Sequence, residues 1–514
     1  MPRAPEPIGF VDRLMQLPLF MIVFGVASLS MLVPAVFAGL TRELETGRAF
    51  LYSGLLGSIL FVLIALAHAG RMPRHGALGP LMSLFSTFVF LPIVLAIPFF
   101  EALKTTTFLN AYIEMVSAIT TTGATLFDDP ERLNGPLHLW RAQVGWMGGL
   151  VMWIAASAIL APLNLGGFEV TARAEPGRRI AGVGRVGQPE GRARLVRVIA
   201  TIFPIYTGLT LLLWVLLWLC GETSLVAICH AMSIMATSGI SPVGGMDAAS
   251  AGIAGEMVMF LFMFFALSRL TFSSDTVTSE SGGLRHDPEF RIGIALVIGV
   301  PTLLFVRHWL GAFDVEAQAS LLEAVIAFWG ATFTVMSFLT TTGFASASWS
   351  EAQSWSGLAT PGLILMGLSL IGGGVATTAG GVKLLRVFAL YRNGTREMER
   401  LVHPSSVSGA DPLARRLQKN GAFTAWIFFM LFAISLAAIT MVLAALGVSF
   451  DEALVLSISS LSTTGPLLEW AADTPIRLSE LGPWAKSVIA AAMVIGRLET
   501  LAIIALLTPD LWRG

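Results

Sequence analysis

The stretch SFLTTTGFAS occupies residues 337–346, between apolar segments of a chain in which charged residues are scarce. Nearly the same phrase occurs three more times. The other copies are SAITTTGAT at residues 117–125, SIMATSGIS at 233–241 and SSLSTTGPL at 459–467. Repetition at a long, fixed period is typical of a fold assembled from repeated structural units, so these copies guide the prediction of the fold.

The four copies align on one glycine, and three preceding positions also agree in kind. The aligned glycines are Gly123, Gly239, Gly343 and Gly465. The residue before each glycine carries a hydroxyl group: Thr122, Ser238, Thr342 and Thr464. The residue two before is threonine: Thr121, Thr237, Thr341 and Thr463. The residue six before is serine: Ser117, Ser233, Ser337 and Ser459. We call residues 121–123, 237–239, 341–343 and 463–465 the TTG loops.

The composition indicates an integral membrane protein. Hydrophobic residues make up 55% of the chain and charged residues 13%, whereas soluble proteins carry about 25% charged residues. Two cysteines, Cys220 and Cys229, cannot form a disulfide framework. No basic stripe with interleaved aromatic residues is present, so we expect membrane lipid and no nucleic acid as a partner. No HExxH, GxSxG or Walker motif is visible, and we therefore do not expect an enzyme or a bound cofactor.

Ten apolar segments are long enough to cross a membrane, which takes about 20 residues. They centre on residues 17–40, 51–69, 80–100, 137–162, 198–220, 252–272, 290–310, 358–390, 422–446 and 483–508. Shorter apolar stretches of about 10–14 residues between them indicate re-entrant or buried helices. Each TTG loop follows such a stretch. Each repeat therefore has the order span, short helix, TTG loop, span.

Lysine and arginine residues lie mostly on one of the two sides that these spans define. If the N-terminus is cytoplasmic, 23 of them lie on the cytoplasmic side and eight on the other, with Arg497 inside the last span. This bias agrees with the positive-inside rule. We predict a multi-pass protein of the bacterial cytoplasmic (inner) membrane with both termini in the cytoplasm.

Two crossings in each repeat return the chain to the same side, so the four repeats share one orientation and can surround one axis. The predicted fold is an all-α integral membrane protein with four helix–pore-loop–helix units around a central pore and two further N-terminal transmembrane helices. The predicted boundaries are 1–75 for the N-terminal extension, then 76–175, 198–275, 288–395 and 420–514 for units one to four.

Loop backbone at membrane depth is tolerated only where it is buried in protein or lines a watery cavity. Glycine permits backbone angles that other residues avoid, and rings of carbonyl oxygens can replace the water shell of a cation. The C-terminal ends of the short helices also favour a cation there. We therefore predict that the twelve residues of the TTG loops form a selectivity filter that binds the ion. The alternative is that threonine and glycine merely let membrane helices pack closely.

Three longer segments, together with the TTG loops, resemble the Trk/Ktr/HKT superfamily of potassium transporters, and most of all the bacterial Trk-type (TrkH-like) pore subunits. The segments are LWRAQVGWMGGL at 139–150, IGGGVATTAGGVKLLR at 371–386 and IGRLETLAIIALLTPDLWR at 495–513. The two spans before the first repeat also match the Trk type. In two places the chain departs from the family pattern. Leu467 replaces the second glycine of a usual GPG, and the glycine-rich segment at residues 372–381 reads GGGVATTAGG where the family usually has GGCAGSTAGG.

This resemblance implies a channel-like pore for potassium uptake, with potassium as the transported ion held at the TTG loops. It also implies a cytosolic nucleotide-binding regulatory subunit of the TrkA kind and a homodimer. Coupling to another ion, as in symport, and the preference for potassium over sodium stay open. The competing hypothesis is an ion-coupled secondary transporter of another small solute, because such proteins also contain broken helices.

A second set of residues forms a candidate gate. Five glycines interrupt an otherwise apolar span and favour local unwinding, because glycine costs about 1 kcal/mol relative to alanine in a helix. The candidate gate residues are Gly372, Gly373, Gly374, Gly380, Gly381, Lys383 and Arg497. A buried arginine in a membrane is costly, so Arg497 should face the bundle interior. The alternatives are a flexible packing site for the glycines and, for Arg497, a structural ion pair with Glu499 or another acid, or a side chain that snorkels to the membrane surface.

One further position differs between the copies. Glu114 and His230 lie nine residues before their glycines, where the other copies have Thr334 and Leu456. Because the residue type is not shared among the four copies, we do not expect a shared ion ligand at this position.

Overall fold

The computed structural model describes residues 17–68, 78–161, 188–268, 287–311, 321–357, 360–402, 412–472 and 474–499, and every regular element in these ranges is helical. Eight helices in this part of the chain are long and apolar enough to cross a membrane. Helices are the expected solution, because each backbone hydrogen bond is then made within the segment and none is left unpaired in lipid.

The N-terminal extension consists of two antiparallel membrane-length runs of helix. The first comprises α1 (Leu19–Ser30) and α2 (Leu32–Leu40), which bend relative to each other at Met31. Pro34 explains the bend, because its ring lacks an N–H group and crowds the carbonyl group four residues earlier. The second run is α3 (Leu44–His68), which packs against both.

Unit one begins with a bent span made of α4 (Leu78–Val89) and α5 (Leu91–Ala102). The shorter α6 (Phe108–Ile119) leads into the first TTG loop, and α7 (Gly135–Ala155) follows it. This is the predicted order of span, short helix, loop and span.

Units two and four repeat this order. Unit two contains α8 (Gln188–Leu219), α9 (Ser224–Ala236) and α10 (Gly252–Met263). After the helices of unit three, unit four contains α16 (Pro412–Ala445), α17 (Phe450–Ser462), the short α18 (Leu467–Trp470) and α19 (Pro483–Leu498).

Unit three has the same order but an interrupted last helix. Its helices are α11 (Pro288–Gly311), α12 (Leu321–Leu339), α13 (Trp349–Ser356), α14 (Gly362–Ile371) and α15 (Leu384–Val402). The gap between α14 and α15 contains the glycine-rich segment. We call α6, α9, α12 and α17 the TTG helices, because each leads into a TTG loop.

The TTG helices and their loops lie at the centre of the protein, and the first helix of each unit lies farther out. The first threonine of every TTG loop is at most 1% exposed, whereas only 22% of an apolar 18-residue window is buried in each of the outer helices α8 and α16. The outer helices expose large apolar side chains such as Leu212, Trp218 and Ile434. Such surfaces suit hydrocarbon, and the buried polar loops are shielded from it.

The count of spans needs one correction. Seven of the ten predicted spans are membrane-length helices, but the eighth such helix is Leu322–Leu339, the part of α12 that we expected to be short. Of the other three, 252–272 contains a shorter helix, 358–390 is interrupted at its glycines, and 483–508 is helical to Leu498, with residues 500–508 outside the described ranges. Periodicity alone does not separate a long buried helix from a span, because both are apolar on all sides. The boundaries of the four units stay a prediction.

Candidate functional site

Each TTG helix ends at a threonine in the left-handed backbone conformation. The φ angles are +55° at Thr121, +52° at Thr237, +56° at Thr341 and +54° at Thr463. A β-branched residue rarely adopts positive φ, and such strain costs on the order of 1–3 kcal/mol per residue. The same strain at four equivalent residues indicates that the surrounding structure imposes one loop geometry on all four repeats.

The repeated serine explains part of this geometry. Its carbonyl oxygen accepts the N–H of the residue before the glycine, five positions later, at 2.9 Å in all four copies. A second bond joins the left-handed threonine N–H to the carbonyl oxygen three residues earlier. These two bonds form the Schellman motif that ends many helices, in which the left-handed residue is usually glycine. Here threonine occupies that place, which leaves a hydroxyl group at the base of each loop.

The four loops contact one another in cyclic order. Thr122 O, in the first loop, accepts a hydrogen bond from Gly465 N, in the fourth, at 2.6 Å. A Cβ atom added to Gly123 would lie 1.7 Å from Ser238 O of the second loop, and one added to Gly239 would lie 2.3 Å from Thr342 O of the third.

The fourth loop closes this ring. A Cβ atom on Gly343 would lie 3.0 Å from the Pro466 ring, so the third loop contacts the fourth. The four glycines therefore surround a common centre, and the carbonyl groups of Thr122, Ser238 and Thr342 each point at the glycine of a neighbouring loop.

The fourth loop has a different backbone. Gly123, Gly239 and Gly343 have φ values of +74°, +64° and +87°, whereas Gly465 is not among the residues of positive φ. Pro466 explains the difference, because a residue before proline is restricted to extended conformations. The chain then enters α18 at Leu467, where the usual family pattern has glycine.

The glycine-rich segment forms a loop between α14 and α15 whose two ends are paired. Val382 N donates to Leu370 O at 2.9 Å, and Lys383 N donates to Ile371 O at 2.8 Å. Gly372 and Gly381, with φ of +73° and +76°, lie against each other, and a Cβ atom on Gly372 would meet Gly380 O at 2.1 Å. Glycine is required here because the two ends of the loop approach too closely for side chains.

The same loop contacts the TTG loops directly, through residues 378–380. Gly380 N donates to Thr341 Oγ1 at 2.7 Å, and a Cβ atom on Gly380 would lie 2.3 Å from Thr463 Oγ1. Thr378 Oγ1 donates to Met235 O, at the end of α9. The glycine-rich segment therefore lies at the threonine end of the ring and touches units two, three and four there.

Two buried cationic side chains hold this loop. Arg497 Nη1, at the end of α19, donates to Thr378 O at 2.7 Å, and Lys383 Nζ donates to Ala379 O. The expected alternative for Arg497, an ion pair with Glu499, is wrong, because Glu499 instead pairs with Arg386 at 2.6 Å. Arg497 is 3% exposed and leaves Nε and Nη2 without a hydrogen-bond acceptor. Its charge is thus not neutralised by a carboxylate among the described residues.

Replacing Thr341 with valine should weaken the contact between the glycine-rich loop and the ring. Valine has the shape of threonine but cannot accept the N–H of Gly380, and a buried unpaired donor costs about 1–3 kcal/mol. We expect rubidium uptake by Thr341→Val cells to rise, because the loop leaves the ring more readily.

Thr237→Val is the matched control. The Thr237 hydroxyl bonds within its own helix end, to Ala236 O, so this change removes a hydroxyl group from the ring without removing a hydrogen bond to the glycine-rich loop. Equal uptake by the two variants would contradict the assigned role of the Thr341 contact.

Acidic side chains occupy the segments that follow the TTG loops, one from each unit. They are Asp128, Asp247, Glu351 and Glu469. Although the Glu469 side chain reaches solvent, desolvation by the surrounding protein, together with the smaller effect of the Asp247 and Asp128 carboxylates, raises its pKa to about 7. We call the region formed by these four acidic side chains the entrance. A change of pH near neutrality should therefore change the charge of the entrance.

A ring of four pseudo-equivalent loops inside a bundle of membrane-spanning helices defines the class of the protein: it is a channel-like membrane transport protein. The family model for TrkH, described as a cation transport protein, matches residues 93–511. The chain therefore belongs to the TrkH family of cation transport proteins, which are transporters and not enzymes.

Relatives and a solved structure agree with this assignment. The chain is 30% identical over 498 residues to the Trk system potassium uptake protein TrkH of Salmonella typhimurium, covering 94% of this chain and 96% of that protein. It is 30% identical to the Trk system potassium uptake protein TrkI of Halomonas elongata, with 83% and 81% covered. The crystal structure of the potassium transporter TrkH from Vibrio parahaemolyticus superimposes with a TM-score of 0.77 at 25% identity, covering 98% of this chain and 100% of that one.

The structure brings all the predicted site residues together in one region, but it also contains buried acids that the sequence reasoning missed. Glu289 Oε1 accepts the N–H of Val375 in the glycine-rich loop at 2.8 Å, and Glu256 accepts three groups near the third TTG loop. A usable signal was present, because an acid inside or beside an apolar segment is costly and therefore needs a partner.

Proposed function

We propose that this chain conducts potassium into the cell and that the twelve TTG-loop residues form its selectivity filter. The cyclic contact of the four loops carries this proposal, because it brings backbone carbonyl groups from all four units together in one ring. Carbonyl oxygens arranged in this way can replace the hydration shell of a potassium ion. The names of the relatives, potassium uptake proteins of Trk systems, support the choice of ion.

The proposed gate is the glycine-rich loop, including Gly372, Gly373, Gly374, Gly380, Gly381 and Lys383, together with Arg497. This loop contacts the threonine end of the ring through Gly380, and Arg497 donates a hydrogen bond to it. An ion leaving the filter on this side would meet the loop and an unneutralised guanidinium group. Movement of the loop away from Thr341 would remove both obstacles.

The resemblance to Trk-type pore subunits supports two partners, a second copy of the chain and a cytosolic nucleotide-binding subunit of the TrkA kind. The distribution of lysine and arginine supports cytoplasmic termini. The regulatory subunit would then act from the same side as the glycine-rich loop and bias it between its closed and open positions.

Uptake of rubidium-86 by a host that lacks its own potassium uptake systems tests the proposal, with the partner subunit co-expressed. We expect the chain to restore growth at low potassium and to carry rubidium, with sodium as a weak competitor. Saturable uptake of an organic solute without rubidium flux would instead favour the ion-coupled secondary transporter.

The charge at the entrance should make uptake depend on pH. Because Glu469 titrates near pH 7, it is mostly ionised at pH 8 and mostly neutral at pH 6, so the attraction for cations weakens as pH falls. We expect the ratio of rubidium uptake at pH 8 to that at pH 6 to decrease in Glu469→Gln. Glu480→Gln is a suitable control, because that acid is exposed and its ion pair within the described part of the chain is with the exposed Arg477. An unchanged ratio in Glu469→Gln would show that this carboxyl does not govern the entrance.

A further inference from the structure

The residues nine positions before three of the four filter glycines hold the chain that follows the loop, each with different chemistry. Glu114, which is 1% exposed, accepts the N–H of Leu126 at 2.9 Å, and Leu126 lies three residues after Gly123. Thr334 Oγ1 accepts the N–H of Ser346 at 3.1 Å, and Ser346 lies three residues after Gly343. The same backbone group of the departing chain is thus held by the same position of the TTG helix in units one and three.

Unit two uses a variation of this contact. His230 Nε2 lies 2.9 Å from Ser241 Oγ, two residues after Gly239, and Ser241 Oγ in turn accepts the N–H of Val243. The edge of the His230 ring also packs against Phe344 of the third loop. The contact in unit two is therefore made through a side chain, but it also joins the TTG helix to the chain that follows its TTG loop.

Unit four shows why Leu456 needs no polar group. Leu468 lies three residues after Gly465, and its N–H donates to Gly465 O at 3.0 Å in the first turn of α18. The helix that begins at Pro466 thus satisfies the amide that the TTG helix satisfies in units one and three. In units one, three and four the residue type nine positions before the glycine follows from where this one amide finds its acceptor, whereas unit two has Pro242 at the equivalent place and so has no amide to satisfy.

Two buried carboxylates reinforce the contact in units one and three. Glu114 Oε1 lies 2.6 Å from Arg141 Nε of α7, and both side chains are at most 6% exposed. Glu256 of α10 accepts Ser346 Oγ at 2.8 Å and Ala347 N at 2.8 Å. Breaking a buried ion pair by removing one partner costs about 3–5 kcal/mol, so these groups strongly resist displacement of the segment.

We propose that the residue nine positions before the filter glycine, in particular Thr334 and Glu114, is a positioning residue that sets ion selectivity. It holds the chain just beyond the filter, and the chain held there fixes the distance between the glycine and its neighbouring loops. These residues do not touch the ion. This inference rests on the proposed function, because it assumes that the TTG loops select the ion.

The test compares Thr334→Val with Thr334→Ser. Valine keeps the shape and removes the acceptor, whereas serine keeps the acceptor. Purified protein in vesicles is assayed for rubidium uptake with and without excess sodium, and fluxes are divided by the amount of folded protein. We expect Thr334→Val to lose discrimination against sodium several-fold and Thr334→Ser to retain it. Thr332→Val is the control on the same helix, because its exposed hydroxyl bonds to Phe328 O of that helix and, among the described residues, to nothing beyond the filter.

Unit one offers an independent pair of variants in a background without the ion pair. Two substitutions are compared in protein that also carries Arg141→Gln. Glu114→Gln keeps an acceptor for the N–H of Leu126, whereas Glu114→Leu introduces the residue type that unit four has at this place. Selectivity should be higher in the glutamine variant. Faster hydrogen exchange of the peptide containing Ser346 or Leu126 should accompany each loss of the acceptor.

The outcomes separate the two proposals. If the parent protein carries no rubidium, the proposed function fails. If the parent selects against sodium and Thr334→Val selects equally well, the filter stands and the positioning role is wrong. A merely structural role would lower the amount of folded protein without changing the selectivity of what remains.

Discussion

Gly123→Ala is expected to abolish potassium uptake while the protein still reaches the membrane. The new Cβ atom would lie 1.7 Å from Ser238 O, which is backbone of the neighbouring loop and cannot turn aside. Gly123 also has φ of +74°, where a side chain costs about 1–2 kcal/mol even without the collision. The first and second loops must therefore move apart, and the ring of carbonyl groups no longer fits a potassium ion.

Gly208→Ala serves as the control for this substitution. Gly208 lies within the outer helix α8 with no atom within 4 Å of an added Cβ, and alanine there should favour the helix by about 1 kcal/mol. The measurement is rubidium uptake at low potassium, divided by the amount of protein in the membrane. Normal uptake by Gly123→Ala would mean that the four loops do not act as one ring.

Arg497→Ala should have the opposite effect and raise the flux measured without the regulatory subunit. The buried guanidinium has no carboxylate partner among the described residues, so it repels a cation that passes the loop. At an effective dielectric constant of about 20, two unit charges about 4 Å apart repel by about 4 kcal/mol, which permits an increase of tenfold or more. Loss of the hydrogen bond to Thr378 O also frees the loop.

Arg497→Lys separates charge from the particular hydrogen bond. Lysine retains the positive charge in the same place, so its basal flux should remain close to that of the parent. Flux through Arg497→Ala no greater than through Arg497→Lys, at equal protein, would exclude the barrier role and leave Arg497 with a packing function.

Much of the fold and the site could be predicted from the four aligned copies. Repetition of Thr-hydroxyl-Gly after a short apolar stretch is a local pattern, and the structure contains the same helix end at all four. The interruption between Ile371 and Leu384 was also predictable, because clustered glycines disfavour a helix.

Other features depend on contacts between distant residues and could not be predicted. Nothing local to Gly380 indicates that its N–H meets Thr341, and nothing in IGRLET indicates that Glu499 pairs with Arg386 and not with Arg497. The role of Glu114 was missed for a related reason. The residues at its position in units one, three and four look unrelated until the acceptor of the amide three residues after each glycine is known, and unit two has Pro242 there, which has no N–H.

A structure determined with rubidium in place of potassium tests the central claim most directly. Rubidium scatters X-rays anomalously, so its position can be found without assumption about the protein. We predict a peak at the centre of the ring, within coordinating distance of backbone oxygens from the loops that contain Gly123, Gly239, Gly343 and Gly465. A protein that transports rubidium but shows its bound ion elsewhere, with the ring empty, would contradict the assignment of the filter.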